Sequence, residues 1–321
     1  MGKLFELRGD LSSKQTVILS IIGAVFLVVC WLIFAELLSS KVITQVDFDG
    51  KIPDNIDKTY YENDSLLIAR MDQLGAMDIN QLAGYGLKKT KVYPLLPSPI
   101  TVVMSFPELN RKDDLIGNTF YSIKLNVMGY LIAILISVPI GFVLGLTPLF
   151  RGLFSKTIDA FRFIPLTAVT GIFIMWLGLG AEMKVSFLAF GILVYLIPVV
   201  VQRIFEVQNV YLRTVFTLGA TSWQTVKTVY FPFVFSKLID DIRVLTAISW
   251  TYITIAEMLN KGGGIGELIW MAKRQSRIDK AFAILIVIVV IGLLQDRLFV
   301  FLDKILFPYK HLNKGKNIEY G

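Results

Sequence analysis

Few residues of this chain have the types and spacing that covalent chemistry requires. It carries one cysteine, Cys30, and one histidine, His311. An intramolecular disulfide, CxxC redox chemistry and a Cys/His zinc cluster are therefore excluded, and no metal site is expected. A phosphate-binding loop needs G-x-x-x-x-G-K-[ST], whose backbone amides cradle phosphates. Gly2-Lys3, Gly50-Lys51 and Gly315-Lys316 all fail to complete it. Gly262, Gly263, Gly264 and Gly266 miss the dinucleotide spacing because Glu267 stands at its last position, and a tight turn is the expected role. Asp240 and Asp241 are adjacent, so on a helix they diverge by about 100° and make no carboxylate dyad. Pairing with Lys237 and Arg243 along one helix face is expected instead.

What remains are groups suited to binding or coupling. Glu257 lies in an apolar stretch, where an ionisable side chain is a functional candidate by default, lining a pathway or gate or bonding to a neighbouring helix. Trp176 in "MWLGLG" either lines a pathway or anchors at an interface. The cluster Lys273, Arg274, Arg277 and Lys280 can steer an anion to a mouth or sit among lipid headgroups.

The elements that hold these groups follow from composition. Of 321 residues, 55% are hydrophobic and 18% charged, and mean hydropathy is +0.63, which disfavours a soluble enzyme or a disordered chain. Six stretches are long and apolar enough for helices crossing roughly 30 Å of hydrocarbon. They are Thr16–Leu38, Leu125–Leu146, Ala160–Leu179, Met183–Val201, Phe235–Leu259 and Ala281–Leu302. Gln295, Asp296 and Arg297 place the end of the last one outside the bilayer or against protein. Pro139, Pro165 and Pro198 are expected to kink the second, third and fourth spans. The first is too long for a secretory h-region of about 7–15 residues and reads as a retained anchor.

Short-loop basic residues favour both termini on the cytoplasmic side, with Lys3, Arg8, Lys14, Arg151, Lys156, Arg203, Arg213, Lys227, Lys304 and Lys310 inside. The net charge of +7, from 32 Lys plus Arg against 25 Asp plus Glu, thus flanks membrane spans, and no basic aromatic face suited to nucleic acid emerges. The expected architecture is an all-α membrane protein. It comprises an N-terminus and first span (1–38), an external insertion (39–118), a membrane core of five spans (119–303) with an internal loop at 204–234, and a basic cytoplasmic tail (304–321). Within the insertion, residues 65–77 have helical apolar spacing, while "YPLLPSPI" is expected to be extended.

The internal loop carries the most specific pattern. In "YLRTVFTLGATSWQTVKTVYFPFVFSKL", Gly219 is placed as a C′ glycine ending one helix, and Thr221 to Gln224 reads T-x-x-Q, a capping box for the next. Trp223, Val226 and Tyr230 then form an apolar stripe, and Pro232 is expected to stop the short helix before the fifth span. Patterning leaves open whether that stripe packs on its own protein or on a separate subunit.

Gly219, nine residues, Val229, one residue, then Phe231-Pro232 resembles the cytoplasmic loop signature of permease subunits of bacterial ATP-binding-cassette importers: EAA, three residues, Gly, nine residues, Ile, one residue, Leu-Pro. The EAA positions fall on Arg213, Thr214 and Val215, a departure that alters the expected local salt-bridge arrangement. The segments "LLPSPITVVMSF", "RFIPLTAVTGIFIMWLGLG", "TLGATSWQTVKTVYFP" and "AEMLNKGGGIGELIWMAK" are similar to the nitrate, sulfonate, taurine and bicarbonate branch, over roughly residues 95 to 310.

The resemblance implies a non-catalytic permease of the bacterial inner membrane, paired with a second copy or a paralogue. It implies two ATPase subunits carrying the ATP and Mg, an external substrate-binding protein, and no cofactor on this chain. Arg213, Gly219, Ala220, Thr221, Trp223, Gln224, Val229 and Pro232 would form the coupling loop. Lys273, Arg274 and Arg277 would dock the binding protein. The competing readings are an ATP-independent transporter or channel, and a membrane sensor using residues 39–118.

Overall fold

The computed structural model describes residues 12–45, 87–93, 95–260 and 262–310. The expected helix at 65–77, Lys3, Arg8, Lys261, His311 and the tail beyond Lys310 lie outside the described residues. The chain divides into two units, Met1–Met104 and Ser105–Gly321.

In the first unit, Ser12 caps α1 (Ser13–Leu37) through a capping box with Gln15. The run Lys14–Leu37 is apolar enough to cross a membrane. Trp31 Nε1 donates to the Pro97 carbonyl at 2.9 Å, and Tyr93 Oη donates to Glu36 at 3.1 Å. A short two-stranded ribbon accompanies the helices of the expected all-α membrane fold. β1 (Ser40–Gln45) and β2 (Leu87–Val92) pair antiparallel, from Ser40 opposite Val92 to Gln45 opposite Leu87.

After α2 (Pro99–Lys112), the second unit is built on α3 (Leu115–Leu146) and α6 (Ala181–Phe205), which pack along most of their lengths. Gly129, Ala133, Ser137, Gly141 and Gly145 recur every four residues on α3 and are all buried. A Cβ on Gly129, Gly141 or Gly145 would run into Leu188, Val200 or Ile204 of α6. This stripe of small residues lets two helices approach where apolar surface alone gives no driving force, since lipid is equally apolar. Between them lie α4 (Pro148–Phe161) and α5 (Leu166–Leu177).

The kink expected at Pro165 of the third span, Ala160–Leu179, is a full break. α4 and α5 meet at 101°, and α5 has only 12 residues, about 18 Å of helix against the roughly 30 Å needed. The residue before a proline avoids helical geometry, so Ile164-Pro165 enforces the break. Pro139 and Pro198, by contrast, lie inside α3 and α6. α3 begins at Leu115, so the expected boundary at 118 falls inside a helix.

Two short helices, α7 (Asn209–Thr217) and α8 (Ser222–Thr225), lead through a π-turn (Val226–Tyr230) into α9 (Phe231–Leu259). α10 (Ile265–Arg274) and α11 (Ile278–Leu306) follow, and Pro308–Lys310 forms a 3₁₀ turn. Among the described residues, five helical runs are long and apolar enough to span a membrane, or six if the bent α4–α5 pair counts as one.

Candidate functional site

α7 ends as its sequence dictates. Gly219 has φ +77, its N–H bonds to Phe216 O, and the Ala220 N–H bonds to Val215 O, a Schellman closure that satisfies the last carbonyls of the helix. Thr221 then starts α8, its Oγ1 accepting from the Gln224 N–H while Gln224 Oε1 accepts from the Thr221 N–H. The helix pair is thus rigidly jointed, yet several of its large apolar side chains have no cover among the described residues. Leu218 is 80% exposed and Trp223 74%, and Val210, Tyr211 and Phe216 are also exposed. Val226 and Tyr230 are only half-buried, because the π-turn takes them out of phase with Trp223.

Pro232 does not stop the helix, as the sequence suggested. It sits in the first turn of α9, and the residues Ser222–Leu259 form one helical run of 38 residues. Proline lacks an N–H and its ring collides with the carbonyl four residues back. The π-turn removes both problems, since the Phe231 N–H reaches five residues back to Val226 O. The Phe231 ring packs 6.1 Å from Phe142 of α3 and 4.2 Å from Phe235.

Around this end of the bundle, the expected pairing of Lys237, Asp240, Asp241 and Arg243 within one helix is replaced by pairing between helices. Arg203 of α6 grips Asp241 of α9 with two hydrogen bonds of 2.7 Å and reaches Glu206 at 2.6 Å. Arg243 pairs with Asp296 of α11, and Lys310 pairs with Asp240 at 2.6 Å and Asp303 at 3.1 Å. The hydrogen bond from Arg203 holds the Glu206 carboxyl below the usual carboxylate range. Trp250 Nε1 donates to Gln295 at 2.9 Å, so the polar end of the last span faces protein. Arg213 is exposed, and among the described residues no carboxylate pairs with it.

At the opposite end of α9 the glycine segment forms a second organised site. Its amides are all taken by side chains: Gly262 and Gly263 by Glu267, Gly264 by Asn118 Oδ1, Ile265 by Ser122 Oγ and Gly266 by Glu257 Oε2. These include the N-terminal donors of α10, which no intrahelical acceptor can reach. Ser122 also donates to Glu257 at 2.6 Å, and the buried Lys184 donates to Gly263 O at 2.9 Å. Glu257 is 1% exposed, a carboxylate placed where the helix dipole favours negative charge. Gly264 and Gly266 are required because a Cβ on either would overlap Glu257 or Thr254 O.

The basic cluster at residues 273–280 separates into two kinds. Arg277 bonds Glu108 at 3.0 Å and Asp279 at 2.8 Å, and the buried Lys280 bonds Asp113 at 2.8 Å. Lys273 and Arg274 stay exposed, with Arg274 stacked 4.7 Å over Trp270. Hydrogen bonds from Arg277 and then Lys112 lower the Glu108 carboxyl from 4.5 to about 2. A carboxyl depressed on folding adds stability above its unfolded value, and that stability is lost as pH falls through the folded one. Contact between α2 and α11 should therefore weaken between pH 4.5 and about 2. Limited proteolysis of α2 across this range should accelerate in the wild type and be already fast, with no pH step, in Glu108→Gln. Trp176 of α5 is 74% exposed, its ring 6.1 Å from Phe173.

A bundle of long apolar helices with a jointed loop at one end and an amide-binding cluster at the other is the architecture of a multi-pass membrane protein. The family model for the binding-protein-dependent transport system inner membrane component matches residues 137–307, and the chain belongs to that family, whose members are inner-membrane permeases. It is 27% identical over 241 residues to the aliphatic sulfonates transport permease protein SsuC of Bacillus subtilis, covering 73% of this chain and 84% of SsuC. It is 27% identical over 228 residues to the nitrate import permease protein NrtB of Synechocystis, covering 68% of this chain and 78% of NrtB. A chain of the inward-facing MetNI methionine ABC transporter superposes with a TM-score of 0.55 at 16% identity, covering 60% of this chain and 95% of that one, which supports the fold.

Sequence reasoning missed Asn118, Ser122 and Lys184 as partners of the glycine segment, and Arg203 as the partner of Asp241. The one local signal was that Glu267 can serve only some of the segment's amides, which leaves the others to side chains from elsewhere.

Proposed function

We propose that this permease subunit carries a small anion, delivered by an external binding protein, through a pathway formed by two copies of the chain or by this chain and a paralogue. Transport is driven by two ATPase subunits that hold the ATP and Mg and dock at residues 209–230, on the cytoplasmic side with both termini. The observation that carries this reading is the uncovered apolar surface of α7 and α8, with Leu218 and Trp223 at its centre. A capped, rigid helix pair with exposed Trp, Leu, Tyr and Phe fits a protein groove, and buried Trp anchors dominate such interfaces. Arg213, Gly219, Ala220, Thr221, Gln224 and Val229 shape the loop, and Pro232 joins it to the span. The anion class rests on the names of the sulfonate and nitrate relatives.

The continuous run Ser222–Leu259, about 57 Å at 1.5 Å per residue, would act as a lever. Movement of Trp223 at one end is transmitted to Glu257 at the other, which acts as a latch on the outer loop. Lys273 and Arg274 remain as binding-protein contacts, while Trp176 faces the pathway from α5.

Trp223→Ala combined with Leu218→Ser should reduce copurification of the ATPase subunit at least tenfold, with a thermal midpoint close to wild type because both side chains are exposed. Unchanged copurification and unchanged substrate-stimulated ATP hydrolysis would reject the docking site.

A further inference from the structure

α4 has three distinct sides. At 100° per residue, Leu149, Phe150, Leu153, Phe154, Thr157, Ala160 and Phe161 share an arc of about 140°. All are exposed, the large side chains by 41% to 66%. Arg151, Ser155 and Ile158 share a second side and are half-buried against the ends of α3 and α6. Arg151 fixes that side by donating to Gly145 O at 3.3 Å and lying 4.8 Å over the Phe205 ring. Gly152, Lys156 and Asp159 are exposed on the third side, with Lys156 at its border with the apolar arc.

We propose that α4 is an in-plane interfacial helix whose Leu149–Phe161 face is seated in the acyl boundary of the leaflet nearest the 209–230 loop, with Lys156 at the level of anionic headgroups. Three observations choose lipid over a protein partner. The apolar arc is as exposed as the surface of α3, whose Leu135 and Val143 lie open on a helix apolar enough to span a membrane. α5 leaves α4 at 101°, so if α5 enters the bilayer α4 lies along its surface. The polar arc opposes the apolar one, and a long basic side chain at the border can reach headgroups while its stem stays among apolar groups, as interfacial helices require. α4 sits at the Gly145 and Phe205 ends of α3 and α6, the same end as the loop, so the leaflet is set by geometry independent of any assigned orientation.

The test uses the full chain with Cys30→Ser, reconstituted in vesicles of phosphatidylcholine and phosphatidylglycerol. Single cysteines replace Leu149 or Leu153 on the apolar arc and Gly152 or Asp159 on the polar arc, each labelled with bimane. Brominated lipid should quench the labels at 149 and 153 at least threefold more than those at 152 and 159, and aqueous iodide should show the reverse order. Two positions per arc keep the comparison usable if one variant fails to fold. Stronger iodide quenching at 149 and 153 would overturn the proposal. So would protection of both from either quencher, or a disulfide joining residue 153 of two copies, since each means that protein covers the face.

Discussion

Replacing Gly141 by leucine is expected to prevent α3 and α6 from closing. A Cβ at Gly141 would lie 2.5 Å from Val200 Cβ and 2.6 Å from Val200 Cγ1, and 3.3 Å from the Ile197 carbonyl oxygen. Overpacking a close-packed site costs about 1–3 kcal/mol, occasionally more. Here a leucine adds four carbons where the first already overlaps, so the cost should fall at or above the top of that range. Against a total stability of about 5–15 kcal/mol this takes roughly a fifth or more of the folding free energy, visible as a lowered thermal midpoint and a smaller monodisperse peak in detergent. Gly141→Ala should be milder, and Val200→Ala in the same chain should restore part of the loss, because the two sites are in contact and their effects are not additive. Gly23→Leu in α1, where a Cβ meets nothing within 4 Å, should leave the peak unchanged. Equal behaviour of Gly141→Leu and Gly23→Leu would contradict the packing argument.

The second large effect is expected at Glu257. Glu257→Leu removes the acceptor of the Gly266 N–H and of the Ser122 hydroxyl, both in a buried setting. Each buried donor left without a partner costs about 1–3 kcal/mol, so roughly 2–6 kcal/mol is at stake, less whatever the loop recovers by rearranging. Glu257→Gln keeps one acceptor oxygen and should retain much of the structure. The measurement is hydrogen exchange of the amides at 262–268. In Glu257→Leu these should exchange at least thirtyfold faster, while amides in the middle of α6 stay protected. If exchange is unaffected, the carboxylate is not what holds the segment.

Much of the fold was legible because it rests on local patterns. The apolar runs of α1, α3, α6, α9 and α11 announce themselves by length, and the Schellman closure at Gly219 and the capping box at Thr221 are set by residues a few positions apart. The failures share a different cause. Asp241 meets Arg203 and Arg243 meets Asp296, partners 38 and 53 residues away, so helix-face spacing could not find them. Pro232 was read as a terminator from its missing N–H, and nothing in its neighbours reveals that a π-turn will absorb it. The bend at Ile164-Pro165 was expected as a kink, but its size escapes a hydropathy window, which averages over a right-angled turn as readily as over a straight helix. The loop as a site was visible through spacing, whereas the five consecutive amides mix nearby partners, Glu267 and Glu257, with Asn118 and Ser122, which only tertiary placement brings to them.

The unbroken run Ser222–Leu259 also makes chain length itself a functional quantity. One residue inserted into it, away from the π-turn, would rotate Trp223 by about 100° and displace it by about 1.5 Å relative to Glu257, although no contact residue had changed. Single-residue insertions and deletions in this stretch should therefore be as damaging as loss of the anchor itself. A compensating pair, one residue added and one removed within the run, should bring Trp223 back into phase. Along this helix the sequence encodes a measured distance and a phase as well as a surface.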